Sequence, residues 1–279
     1  MSERKEYRSG VIGWPIGHSL SPVIHTHWFD QYKVAGQYNP YGVEPDQLKT
    51  AVDKLVLEGL CGWNVTVPHK EAIMPYLDKI APMAKKLGAV NTVVVKDGQT
   101  IGFNTDITGF KKQLDQSAPR WRQEKPVLIV GAGGAARAAV AAFLTTSVPF
   151  IMVANRTRAT AEKLAADIGQ GRVTVVDWDD RNTAVAGAGV VVNTTSLGMA
   201  GQPPLNIDLS SAETDTVIYD IVYKPLMTDF LKQGQDLGLP IVDGLGMLVY
   251  QAAGAFKLWF DIDPEYDAGL KKRLEKEIK

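Results

Sequence analysis

Residues 127–137, VLIVGAGGAAR, constrain the fold more than any other stretch: an apolar β-branched run breaks into G-x-G-x-x-A and continues as an alanine-rich helix. Gly131 permits the tight turn, Gly133 lets backbone approach a pyrophosphate, and Ala136 is small enough for the helix to pack close to the strand. Ala132, Gly134 and Ala135 complete a turn whose free N–H groups, backed by the helix dipole, favour an anion. Such turns also occur as plain loops. Here a strand precedes it, a helix follows, and a second apolar run at 150–154 arrives at the distance of one βαβ unit, which predicts a dinucleotide-binding turn.

At the end of that second strand, an enzyme using NAD places Asp or Glu to accept hydrogen bonds from the ribose 2′-hydroxyl. This chain has Asn155-Arg156-Thr157-Arg158 instead. A guanidinium there pairs with a 2′-phosphate, so the missing acid and the added positive charge point together to NADP.

Short β-rich runs at 10–13, 38–43, 62–67, 92–96, 127–130, 150–154, 173–177, 190–193 and 217–220 alternate with helical patterns. This predicts an α/β chain with largely parallel sheets. Asp97-Gly98, between two apolar runs, reads as a hairpin turn that puts one antiparallel strand in the first sheet and makes it mixed. Boundaries are expected at 1–106 for a first domain, completed by C-terminal helices over 246–279, and at 107–245 for the nucleotide domain. With 279 residues, 45% of them apolar, there is material for two cores. A net charge of −1 supplies no broad basic field for nucleic acid or an anionic membrane. No apolar run reaches the roughly 18 residues of a membrane span, and the first residues, MSERKEYRSG, lack the pattern of a secretory signal. Cys61, the sole cysteine, excludes an intrachain disulfide and suits a reducing cytoplasm.

Polar clusters fall at strand ends. After the first strand comes WPIGHSLSP, in which Ser21 reads as helix N-cap and Pro22 as first helical residue. Ser19 and Ser21 thus either cap the helix or face an anion such as a carboxylate. In NVTVPHK the strand period places Asn64 and Thr66 on one face, and Pro68 opens a helix carrying Lys70 in its first turn. Lys70 reads either as a solvated side chain beside Glu71 or as a proton-exchanging group, and His69 as a satisfied surface histidine. Asn91 begins a strand, and Asp106 follows the hairpin as either a helix cap or the partner that orients Lys70. Thr194, in NTTSLGM, lies where loops line a cofactor crevice. Tyr223 ends another strand, and Met247 and Gln251 share one face of the last helical region by their spacing. His25-x-His27 has no further ligands to complete a metal site and reads as helical packing, so no metal is expected.

Taken together, GWPIGHSLSP, NVTVPHKE, GAVNT, NTD, GAGGAAR, NRT, NTTSLGM, YDIVY and DGLGMLVYQA resemble the shikimate/quinate dehydrogenase family, from about residue 11 to about residue 260. The resemblance implies two αβ domains separated by a cleft, a mixed-sheet substrate domain and a Rossmann-type NADP-binding domain. It implies NADPH-dependent, reversible reduction of 3-dehydroshikimate to shikimate in chorismate and aromatic amino acid biosynthesis, by a cytoplasmic monomer or homodimer. By motif match, Ser19, Ser21 and Tyr223 would hold the substrate carboxylate, and Asn64, Thr66, Asn91, Asp106 and Gln251 its ring hydroxyls. Lys70 and Asp106 would be the catalytic pair. Gly131, Ala132, Gly133, Gly134, Ala135, Asn155, Arg156, Thr157, Thr194, Gly244 and Met247 would contact NADP. One departure concerns specificity: many relatives carry a second arginine where this chain has Thr160, and Arg158 is the nearest candidate to stand in. The rival expectations are a quinate or dual quinate/shikimate dehydrogenase, which an acid near residue 155 would have favoured, and a non-catalytic nucleotide-binding regulator, against which the presence of both Lys70 and Asp106 argues.

Overall fold

Every run expected as a strand forms one. The computed structural model describes residues 6–278, and the chain divides into two units, one running to Thr105 and taking up Gln251–Glu277, the other comprising Asp106–Tyr250. In the first unit, strands β1 (Tyr7–Gly13), β2 (Gly36–Gly42), β3 (Gly62–Val65), β4 (Lys79–Ile80), β5 (Thr92–Lys96) and β6 (Gln99–Phe103) stand in the order β2-β1-β3-β5-β6-β4. All run parallel except β5, which opposes both of its neighbours. The cause is the turn: Asp97 and Gly98 take φ of 52° and 74°, the left-handed pair that a two-residue hairpin loop requires. Helices α1 (Ser21–Tyr32), α2 (Leu48–Leu57), the short α3 (His69–Ala72) and α4 (Pro82–Leu87) link these strands. Ile12, Trp63, Val65 and Val93 of the sheet close on Leu48, Val52 and Leu55 of α2 as one core.

The second unit begins with α5 (Asp106–Ser117) and holds six strands, β7 (Val127–Val130), β8 (Ile151–Ala154), β9 (Val173–Val176), β10 (Val190–Asn193), β11 (Val217–Asp220) and β12 (Ile241–Val242). They are all parallel, in the order β12-β11-β10-β7-β8-β9. This is the doubly wound dinucleotide-binding order, and its reversal falls between β7 and β10. Helices α6 (Gly134–Leu144), α7 (Arg158–Ile168) and α8 (Asp229–Asp236) accompany the strands. A parallel sheet covered on both faces needs strands that are apolar throughout, which is why VLIV at 127–130 and VVVN at 190–193 are buried at every position. The two-residue strands β4 and β12 were not expected, because two residues are too few to show a period.

The tail forms α9 (Leu245–Phe260) and α10 (Ala268–Ile278). Phe256, Trp259 and Phe260 of α9 pack edge-on or tilted against Trp28 and Phe29 of α1 and Tyr38 of β2. Trp259 Nε1 donates to Val93 O at 2.9 Å and Trp28 Nε1 to Glu265 O at 3.0 Å, so the polar edges of both indoles are satisfied where their rings are packed. No helix among the described residues is long and apolar enough to cross a membrane.

Candidate functional site

Gly131 ends β7 with φ at 114°, and a Cβ there would meet Thr194 Oγ1 at 2.6 Å, so glycine is required both by conformation and by space. Thr194, at the end of β10, donates through Oγ1 to Val130 O at 2.7 Å and closes the switch point between the two strands. Gly133 is the N-cap of α6 and provides no side-chain cap, the first turn carries no acid, and nothing lies within 4 Å of a Cβ built on Gly133. The first N–H groups of α6 have no intrahelical acceptor. An acid-free, uncapped helix start beneath open space fits the pyrophosphate of a dinucleotide. Ala132 and Ala136 are buried, the latter completely, which allows helix and strand their close approach.

After β8, Asn155 donates to Thr157 O at 2.9 Å and shapes the loop. Arg156 is exposed and makes no ion pair among the described residues. Arg158 differs: its Nε meets Glu162 Oε1 at 2.8 Å and its Nη1 meets Asp177 Oδ1 at 2.5 Å. Thus the two arginines that the sequence offers for a 2′-phosphate are not equivalent.

In the first unit, buried amides and hydroxyls form one network. Tyr38 Oη donates to Asn64 Oδ1 at 2.7 Å and also reaches the Ser21 side chain. Asn64 Nδ2 donates to Asn91 O at 3.2 Å and to Thr92 Oγ1 at 3.1 Å. Thr92 donates to Asn91 Oδ1 at 3.0 Å, and Asn91 Nδ2 donates to Thr105 Oγ1 at 3.0 Å and to Gln251 Oε1 at 3.3 Å. The structure therefore brings together Ser21, Asn64, Asn91 and Gln251, through Tyr38, Thr92 and Thr105. These three linkers have no catalytic signature in the sequence; strand-end position was the only signal that could have found them. His25, stacked on Tyr38 with ring centroids 4.1 Å apart, is fully buried, and that burial pushes its pKa down to about 3, so the ring is neutral packing material.

Several local expectations are corrected. Leu20, not Ser21, stands at the cap position of α1; Ser21 is the first helical residue and its N–H donates to Ser19 Oγ at 3.3 Å. Strand β3 ends at Val65, so Thr66 lies just beyond it, with its N–H on Ile12 O at 2.9 Å. Pro68 takes the cap position of α3 rather than opening it. His69 is buried, not superficial, and its Nε2–H donates to Val43 O, just after β2, at 2.7 Å.

Lys70 is half-buried in α3, and its carbonyl accepts from Val90 N at 2.8 Å, which ties the start of this short helix to the residue before Asn91. Asp106 is the buried first residue of α5, directly after Thr105. Tyr223 and Met247 belong to the second unit; burial raises the Tyr223 phenol above its ordinary value and keeps it protonated, and Met247 is buried. Gly244 is confined by the Ile221 and Val222 backbone, which leaves no room for a Cβ.

A cluster that the sequence did not disclose lies at the ends of β10 and β11. Asn193 Nδ2 donates to Leu197 O at 2.9 Å and to Asp220 Oδ1 at 3.0 Å, while its Oδ1 accepts from Thr195 N at 3.0 Å. Asp220 also accepts from Thr228 Oγ1 at 2.7 Å and Val222 N at 2.9 Å. Burial nonetheless raises its pKa to about 6.

Three family models match the chain in sequence: the shikimate dehydrogenase substrate binding domain over residues 11–93, shikimate / quinate 5-dehydrogenase over 113–201, and the shikimate 5′-dehydrogenase C-terminal domain over 244–271. A protein of Paramagnetospirillum magneticum named shikimate dehydrogenase (NADP(+)) is 48% identical over 265 residues, spanning 94% of this chain and 96% of its own. Shikimate 5-dehydrogenase from Thermus thermophilus, solved with NADP(H) and shikimate, superposes with a TM-score of 0.87 at 32% identity, covering 97% of this chain and 99% of its own. Quinate dehydrogenase from Corynebacterium glutamicum, solved with NAD, superposes with 0.88 at 32% identity, covering 98% and 99%.

Proposed function

The chain belongs to the shikimate dehydrogenase family, and from that premise we propose that it reduces 3-dehydroshikimate to shikimate, reversibly, with NADPH, as a step of chorismate and aromatic amino acid biosynthesis. The observation that carries this reading is the buried set Asn64, Asn91, Thr92 and Thr105 with the half-buried Gln251. Neutral donors and acceptors held in fixed orientations suit a ring bearing several hydroxyls, whose identity they read by complementary hydrogen bonds.

Ser19 and Ser21, with Tyr223, hold the substrate carboxylate, and Asn64, Thr66, Asn91, Asp106 and Gln251 hold the hydroxyls. NADPH, when bound, supplies a hydride to the carbonyl carbon. The carbonyl oxygen then needs a proton and electrostatic support, and the Lys70 ammonium provides them. Asp106 orients that ammonium and accepts a hydrogen bond from the neighbouring hydroxyl. Gly131, Ala132, Gly133, Gly134 and Ala135 receive the pyrophosphate, Asn155, Arg156 and Thr157 the adenosine end, and Thr194, Gly244 and Met247 border the nicotinamide side. A reducing cytoplasm suits the single Cys61, and the assembly is a monomer or homodimer.

The quinate/NAD alternative calls for an acid at the end of β8; Asn155 and the exposed Arg156 favour the phosphorylated cofactor. The test follows the near-ultraviolet absorbance of NADPH while purified protein oxidises shikimate with NADP. Reduction is expected, with Lys70→Ala lowering kcat by about 10²- to 10⁴-fold; no reduction with shikimate and either cofactor would end the proposal.

A further inference from the structure

The loop after β8 carries two arginines with different surroundings. Arg156 projects from the loop with no carboxylate partner among the described residues. Arg158 is the first residue of α7, where the helix dipole disfavours a cation. Two carboxylates outweigh that: Glu162, one turn along α7, takes Nε at 2.8 Å, and Asp177, just past β9, takes Nη1 at 2.5 Å. An isolated exposed pair contributes little. Here the two acids come from different elements and use different nitrogens, so they fix the guanidinium from two directions and act as a network. Both also raise the pKa of Arg158, Asp177 most.

We propose that Asp177 and Glu162 are positioning residues that set the strength of NADP preference, by holding Arg158 off the cofactor loop and leaving Arg156 as its one working cation. This rests on the NADP reading above. With both acids in place, the charges of Arg156, Arg158, Glu162 and Asp177 cancel, and of these four Arg156 alone has no ion-pair partner among the described residues. Releasing Arg158 would add a second guanidinium, the group best shaped to hold a phosphate by paired hydrogen bonds. The arginine missing at position 160 is thus not replaced by Arg158 in the wild-type chain, although its charge is present.

The test compares KM and kcat/KM for NADP and NAD in Asp177→Asn, Arg158→Ala, their double variant and Arg156→Ala. In Asp177→Asn, KM for NADP should fall about three- to tenfold with KM for NAD unchanged. Arg158→Ala alone should change KM for NADP by less than about twofold, and the double variant should lose the gain. A general structural effect would move both cofactors together, so the ratio separates the two. An unchanged ratio in Asp177→Asn, a full gain persisting in the double variant, or a loss in Arg158→Ala as large as that in Arg156→Ala would each overturn the proposal. If Arg156→Ala leaves NADP preference intact, the loop reading falls and takes this proposal with it; the other outcomes leave that reading standing.

Discussion

Asp220 lies fully buried at the end of β11, where Asn193, Val222 and Thr228 donate to its carboxylate. Desolvation still outweighs those bonds and lifts its pKa from 3.8 to about 6. The folded state therefore holds this proton more tightly than the unfolded state. Its favourable contribution is complete below the unfolded value and is lost as pH rises through about 6. Asp220→Asn keeps the shape and removes the titration, so urea unfolding across this window should show the stability gap moving in the variant's favour as pH rises, by up to about 3 kcal/mol. A gap independent of pH would contradict the argument. At this scale the sequence disclosed identities more readily than partners. Lys70, Asp106, Asn64 and Asn91 stood out by residue type at strand ends, whereas the burial of His69 and the bonds made by Tyr38 and Thr105 depend on residues distant in the chain. The sequence assigns Arg156 to the cofactor and makes Arg158 the candidate stand-in for an arginine at 160; the ion pair of Arg158 with Asp177, just past β9, lies outside any local window.

At the level of elements, the turn from β7 into α6 combines a left-handed residue with an open approach. Gly131→Ala would place a Cβ 2.6 Å from Thr194 Oγ1 on a backbone with φ of 114°. A loss of about 1–3 kcal/mol in unfolding free energy is expected, together with a raised KM for NADP. Gly133→Ala, where a Cβ meets nothing within 4 Å, should leave thermal stability nearly unchanged and raise KM for NADP alone. Equal effects of the two substitutions on stability would refute the distinction between them. These elements were legible because the strands of the second unit are continuous apolar runs and the glycine turn has a fixed spacing. The end of β3, the cap of α1 and the two-residue strands were not, since boundaries respond to packing that no local window contains.

Across the whole molecule, the chain returns: α9 supplies Phe256, Trp259 and Phe260 to the aromatic core beside α1. Phe256 is fully buried and touches the rings of His25, Trp28, Phe29 and Phe260. Phe256→Ala should cost about 3–5 kcal/mol in unfolding free energy, read by urea titration; a cost below about 1 kcal/mol would mean that the tail is dispensable to that core. The α/β class and the mixed first sheet were readable from alternation and from one hairpin dipeptide, because both are local signals repeated along the chain. The central claim is an NADP-dependent shikimate dehydrogenase, and kcat/KM for the four combinations of shikimate or quinate with NADP or NAD tests it most directly. The highest value is expected for shikimate with NADP, lowered about 10²-fold or more in Lys70→Ala; a higher value for quinate with NAD, or a loss of less than about tenfold in Lys70→Ala, would contradict the claim.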